Sequence, residues 1–179
     1  MKTNDRPITD LLKAVAEGKA QLPDFQRSWV WDDDRIKALI ASVVHCYPVG
    51  AAMFLEYGND NIRFKYRTIE GSAAEGKGIV PTELILDGQQ RLTSLYSALY
   101  SQNAVKTCTK TEKGKVIYRY YYIDIEKALD PKSDVNDVVI SVPKTRIMTM
   151  NFGRDVILDL STREKEFKEK NGYNYPGYF

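Results

Sequence analysis

The chain has 179 residues, 43% of them hydrophobic and 28% charged, so it can bury a core without disulfides or metals, and its net charge of +2 does not by itself argue for nucleic acid. Cys46 and Cys108 lie far apart with no CxxC or Cys/His spacing, which excludes a zinc site or disulfide framework and reads as reduced intracellular thiols. With no signal-like region and no apolar run of membrane-spanning length, a soluble cytoplasmic protein is expected.

Ile8, Leu11, Leu12 and Val15 predict an amphipathic helix that stops near Gly18. In the stretch Ala20 to Trp31, Pro23 imposes an extended or turning backbone. Phe25, Trp29 and Trp31 are expected to fill core beneath a loop, while Arg27 needs a carboxylate, a phosphate or an aromatic face as partner. Asp32, Asp33 and Asp34 precede a helical face of Ile36, Leu39, Ile40, Val43 and Val44; acids there read better as first-turn caps than as metal ligands. His45, the only histidine, falls at that helix's end, where it meets terminal carbonyls.

Tyr47 to Gly50 reads as a turn and Ala51 to Tyr57 as a buried strand, with Ile62, Phe64 and Tyr66 alternating as its hairpin partner after the turn at Gly58 to Asn61. Glu70 to Gly78 holds three glycines and little bulk, and is expected to be a mobile loop over a ligand or a tolerated surface insertion. Lys106 to Lys115 is turn-like. Val116 to Ile125 is β-rich, and its tyrosines 118, 120, 121 and 122 either stack bases or straddle core and surface. After a loop at Pro131 to Asp134, Val138 to Val142 predicts a strand and Lys144 to Asp155 an irregular or weakly helical stretch. Ser161 to Lys170 predicts a solvated helix, and three tyrosines and a phenylalanine in the last nine residues read as surface awaiting a partner.

The stretch that organises the chain is Leu84-Ile85-Leu86-Asp87-Gly88-Gln89-Gln90-Arg91-Leu92-Thr93-Ser94-Leu95. A short apolar run feeds a helix whose face is Leu92, Leu95, Tyr96 and Leu99. Two readings of the junction stand together. In one, Asp87 is an N-cap with Gln90 as its reciprocal partner in a capping-box variant. In the other, Gly88 lets a ligand approach the backbone, and the helix start grips an anion with Gln89, Gln90 and the planar fork of Arg91.

Leu22-Pro23-Asp24-Phe25-Gln26-Arg27 with Trp31, the helix ending in Tyr47-Pro48-Val49-Gly50, and then Asp87-Gly88-Gln89-Gln90-Arg91-Leu92-Thr93 occur in an order that resembles the DUF262 family. That family forms the N-terminal domain of GmrSD-type modification-dependent restriction proteins, and related domains occur in phosphorothioate-sensing antiphage proteins. The resemblance covers about residues 8 to 142. It implies an α+β fold of the ParB/sulfiredoxin-like kind, a small mixed sheet with flanking helices, and a single domain over 1–179 that is the N-terminal part of a longer protein.

The resemblance further implies NTP binding and hydrolysis at Asp87, Gly88, Gln89, Gln90, Arg91 and Thr93, with Gln26 and Arg27 facing the same pocket. Asp87 could then hold Mg²⁺ or orient water, Gln89 or Gln90 could position that water, and Arg91 and Arg27 would stabilise phosphate charge. Relatives carry a C-terminal nuclease with a histidine-metal centre; a chain with one histidine cannot supply it. DNA is the expected target of the full-length protein, and the oligomeric state stays open. The alternative function is a non-catalytic module that reads DNA or a modified phosphate. A third option is an interaction domain whose motif only caps a helix.

Overall fold

The computed structural model describes residues 5–58, 64–111 and 115–161. The chain is mixed α+β and divides into two compact units. The first comprises Met1–Val30 with Gly50–Ser101, the second Trp31–Val49 with Gln102–Phe179. Among the described residues no helix is long and apolar enough to cross a membrane.

The first unit is a four-stranded mixed sheet with two helices. Helix α1 (Ile8–Ala16) buries Leu12, Ala14 and Val15 and ends before the left-handed Gly18. Strand β1 (Ala20–Pro23) follows, buried at all four positions. It runs parallel to β4 (Glu83–Asp87), with Ala20 opposite Glu83, and antiparallel to β3 (Tyr66–Arg67), with Pro23 opposite Tyr66. Pro23 is tolerated because it closes the strand. Burial on every side hides the period of two, so composition showed only an extended segment here. Even Gln21 is inside, its amide donating to the carbonyls of Gly18 (2.8 Å) and Ile79 (2.7 Å).

Two expectations for this unit are corrected, and a third is narrowed. Residues 51–57 do not form a buried strand; β2 (Met53–Glu56) is exposed at both ends and, among the described residues, pairs only with β4. Tyr66 pairs with β1 rather than with β2; residues 59–63 of the expected turn and strand lie outside the described residues. Residues 70–78 are a series of turns, largely exposed as a surface segment would be but anchored at Ser72 and Ala74. Ile69 and Ala74 are buried, Ser72 Oγ donates to the Val15 carbonyl (2.9 Å), and the Ala73 N–H donates to the Tyr96 hydroxyl (3.0 Å). Small residues here permit close packing against α1.

From β4 the chain enters α3 (Gln89–Leu95), which continues as a π-helical turn, Tyr96–Tyr100. Leu92, Leu95 and Tyr96 are buried as their spacing predicts, but so are Thr93, Ser94 and Ala98. This helix is inside the unit, and the wider π turn shifts its register, so a single apolar stripe understates its burial.

In the second unit, α2 (Asp33–Val44) is capped by Asp32, whose carboxylate accepts from the Arg35 N–H (3.0 Å), and His45 is its C-cap. Ile36, Leu39 and Ile40 are buried where α2 packs on β7 (Val139–Pro143). That strand closes an antiparallel sheet with β5 (Val105–Cys108) and β6 (Val116–Ile123). The tyrosines of β6 straddle core and surface: Tyr121 is buried and Tyr118 exposed. A short helix α4 (Ile125–Leu129) is capped by Asp124. The irregular or weakly helical stretch expected at 144–155 is instead β8 (Ile147–Met150) and the start of β9 (Asp155–Asp159), an antiparallel pair. The connection between them, a 3-10 turn over Asn151–Gly153 with Asn151 and Gly153 at positive φ, keeps part of the expected helical character and joins the two strands. The expected helix after Ser161 and the tyrosine-rich tail lie outside the described residues.

Candidate functional site

At the end of β4 the chain turns through Gly88, with φ of +88°, directly into α3. Few side chains adopt that backbone, and a Cβ at Gly88 would also lie 3.1 Å from the Ala52 Cβ. Gly88 occupies the N-cap position and offers no side chain to the first N–H groups of α3. The capping-box expectation is therefore corrected. Asp87 is still strand, and its carboxylate lies 3.4 Å from Arg91 Nη2 in an ion pair.

Arg91 rests on the turn before β2. Its Nη2 donates to the Ala51 carbonyl (2.7 Å), and a Cβ on Gly50 would overlap its Nη1. The cation is thus brought to the helix start by backbone that only glycine can supply. Asp87 is 72% exposed at its side chain and Arg91 26%.

The first motif reaches the same place. Residues 26–30 form no helix or strand, and side chains satisfy their backbone. Gln26 Nε2 donates to the Leu86 carbonyl in β4 (2.8 Å). Gln89, buried, donates to the Arg27 carbonyl (2.6 Å). Gln90 donates to the Ser28 carbonyl (3.2 Å) and accepts from the Val30 N–H (3.1 Å). Trp29 Nε1 donates to Ser94 Oγ (3.0 Å), which itself donates to the Gln90 carbonyl. Two motifs about sixty residues apart are zipped together.

The structure thus brings Gln26, Asp87, Gly88, Gln89, Gln90 and Arg91 to one junction and ties Arg27 to it by its carbonyl. Arg27 is exposed, and among the described residues its guanidinium has no partner. Thr93 is buried on α3, its hydroxyl without a hydrogen bond among the described residues. Phe25, expected in the core, is 67% exposed and meets Phe64 edge-on, while Trp29 is half-buried.

Sequence reasoning missed Arg67 and Glu70. Arg67 Nη1 pairs with Glu70 Oε1 (3.2 Å), and its Nη2 donates to the carbonyls of Gln26 and Arg27. Glu70 Oε1 also accepts from the Trp29 N–H (3.2 Å). The sequence signal was slight: Glu70 opens the glycine-rich turns and Arg67 lies three residues ahead of it.

Fold and site define an α+β protein in which a glycine-hinged strand-to-helix junction is laced to a distant Gln-Arg motif. The chain belongs to the family of GmrSD restriction endonuclease N-terminal domains, which it matches over residues 8–175. It is also similar to an uncharacterized protein of Methanocaldococcus jannaschii, with 36% identity over 141 residues. The similarity takes in 76% of this chain and 23% of the relative, so the chain spans less than a quarter of that protein's length. No solved structure matches the chain.

Proposed function

We propose that the chain is the nucleotide-binding regulatory domain of a longer restriction or antiphage protein that targets DNA, with NTP hydrolysis as the reaction the junction suits. The observation that carries this reading is a helix start without a side-chain cap, behind a left-handed glycine, with Arg91 beside it and Arg27 tied to it. Such a start favours anionic oxygens, and guanidinium groups match phosphate geometry. The fold that goes with this reading is ParB/sulfiredoxin-like, supported by the parallel β1–β4 pair and the helix leaving β4 directly. The two free cysteines, Cys46 and Cys108, fit a reducing cytoplasm.

In this mechanism Arg91 and the first N–H groups of α3 hold phosphate oxygens, and Arg27 stabilises charge on the same group. Gln89 and Gln90 act chiefly as positioning residues, since their amides hold the backbone of Arg27, Ser28 and Val30. Asp87, well exposed, is the group to hold Mg²⁺ or to orient an attacking water. Among the described residues no three His, Cys, Asp or Glu side chains gather as ligands. A single carboxylate still suits Mg²⁺, which keeps several waters and takes the rest of its oxygens from the nucleotide. When bound, it would offset charge on the phosphates.

A thermal-shift panel of the four NTPs with Mg²⁺ tests the reading. A nucleotide at ~100 times its Kd adds roughly 2.7 kcal/mol, and Arg27→Ala and Arg91→Ala reduce that response. No response to any NTP in the wild type defeats the proposal. Salt-dependent binding of DNA in its place assigns the junction to a DNA phosphate or a modified phosphate.

A further inference from the structure

The Gln26–Val30 segment is held from two directions. From α3, Gln89 and Gln90 reach its carbonyls; from β3 and the turn after it, Arg67 and Glu70 reach the other side. Both directions converge on one atom. The Arg27 carbonyl oxygen accepts from Gln89 Nε2 at 2.6 Å and from Arg67 Nη2 at 3.2 Å. The side chain of the same residue is exposed and has no partner among the described residues. Two donors fix this residue's backbone and none fixes its guanidinium, an arrangement that presents a cation to something outside.

We infer that the Arg67–Glu70 pair is a positioning clamp of the nucleotide site, fixing the backbone beneath Arg27 so that its guanidinium is delivered to the phosphates. This rests on the nucleotide-binding reading above. The clamp is mounted on core. Arg67 lies opposite Leu22 in the sheet, Ile69 is fully buried, and the Ser72 N–H closes the turn on the Ile69 carbonyl (3.0 Å). A partly exposed ion pair three residues apart contributes little stability by itself. Its value lies in geometry: one planar fork spans a carboxylate and two carbonyls, which an ammonium cannot do in fixed orientation. Glu70 orients that fork and also receives the Trp29 N–H. Fixing the segment beforehand lowers the ordering cost of binding.

The test compares wild type, Glu70→Ala, Glu70→Gln and Arg67→Lys in the full chain. Amide hydrogen exchange over residues 26–30 and Kd for the four NTPs with Mg²⁺ are measured beside the melting temperature. Glu70→Ala should speed exchange at the Trp29 N–H and weaken nucleotide binding roughly tenfold, about 1.4 kcal/mol, with little change in melting temperature. Glu70→Gln, which keeps an acceptor for both donors, should restore most of the affinity. Arg67→Lys keeps the charge and loses the fork, so it should resemble Glu70→Ala. Unchanged exchange in Glu70→Ala, or an Arg67→Lys variant equal to wild type, overturns the clamp. A wild type that binds nucleotide with the same Kd as Glu70→Ala overturns its role in binding. A wild type that binds no NTP defeats the functional reading instead, and the exchange data still decide whether the clamp exists.

Discussion

Gly50 and Gly88 set where Arg91 can lie, and each does so for a reason a substitution can expose. Gly50 has φ of +86°, and a Cβ there would overlap the Arg91 guanidinium. Gly50→Ala should therefore both strain the turn and push Arg91 off the Ala51 carbonyl. We expect a loss of roughly 1–2 kcal/mol from the left-handed backbone alone, read as a lower denaturation midpoint, together with a weaker nucleotide response. Arg91→Ala should be milder on the fold, about 1 kcal/mol, because the Ala51 carbonyl it leaves is near the surface and can be hydrated. Asp87→Asn should cost less still, since an ion pair with so exposed a carboxylate contributes at most about 1 kcal/mol. Gly88, not Asp87, holds the N-cap position of α3, so the substitution removes no helix cap. Loss of hydrolysis in Asp87→Asn with stability retained would point to its role toward Mg²⁺ or water.

Among the elements, the helices with a period on show were legible, whereas β1, buried at every position, and the largely exposed β8–β9 pair were not. The faces of α1 and α2 follow from Leu12 and Val15 and from Ile36, Leu39 and Ile40, and the β4–α3 junction from an apolar run meeting a helical spacing. Strand β1 escaped notice because its four residues are all inside, and a glutamine among them looks like surface until its amide is seen between two carbonyls. Gln21→Leu should confirm that the amide is structural: apolar volume is kept, yet two carbonyls lose their donor. The expected cost is roughly 1–3 kcal/mol in chemical denaturation, and a neutral outcome would mean that solvent reaches those carbonyls. For the site, a single sequence could supply the two motifs but not their lacing. Arg67 and Glu70 sit outside any local pattern, and only the pairing of β3 with β1 brings them to residues 26–29.

At the scale of the whole molecule, the groups of the candidate site belong to the first unit, and a half-buried carboxylate of the second, Asp33, stands apart in role. Asp33 Oδ1 accepts from the Tyr121 hydroxyl (2.8 Å) and from Ser141 Oγ (2.7 Å), tying α2 to β6 and β7, with Arg119 Nε 4.0 Å from its other oxygen. Burial, and then the charge of Asp33, push the Tyr121 phenol well above its usual range. The sign of the consequence follows. The unfolded chain releases this proton near pH ~10, while the folded chain keeps it, so stability falls as pH rises past about 10. Tyr121→Phe should be less stable than wild type at neutral pH, through the lost hydrogen bond, by about 1–2 kcal/mol. It should also lose less stability than wild type on going from about pH 8 to about pH 11. Denaturation midpoints of both proteins across that interval check the sign, and equal slopes would remove Tyr121 as the titrating group. Because its contacts lie in the second unit, the same variant should leave the NTP Kd where it is in wild type. A Kd weakened as far as in Glu70→Ala would show that the site described in the first unit is not the whole of the binding machinery.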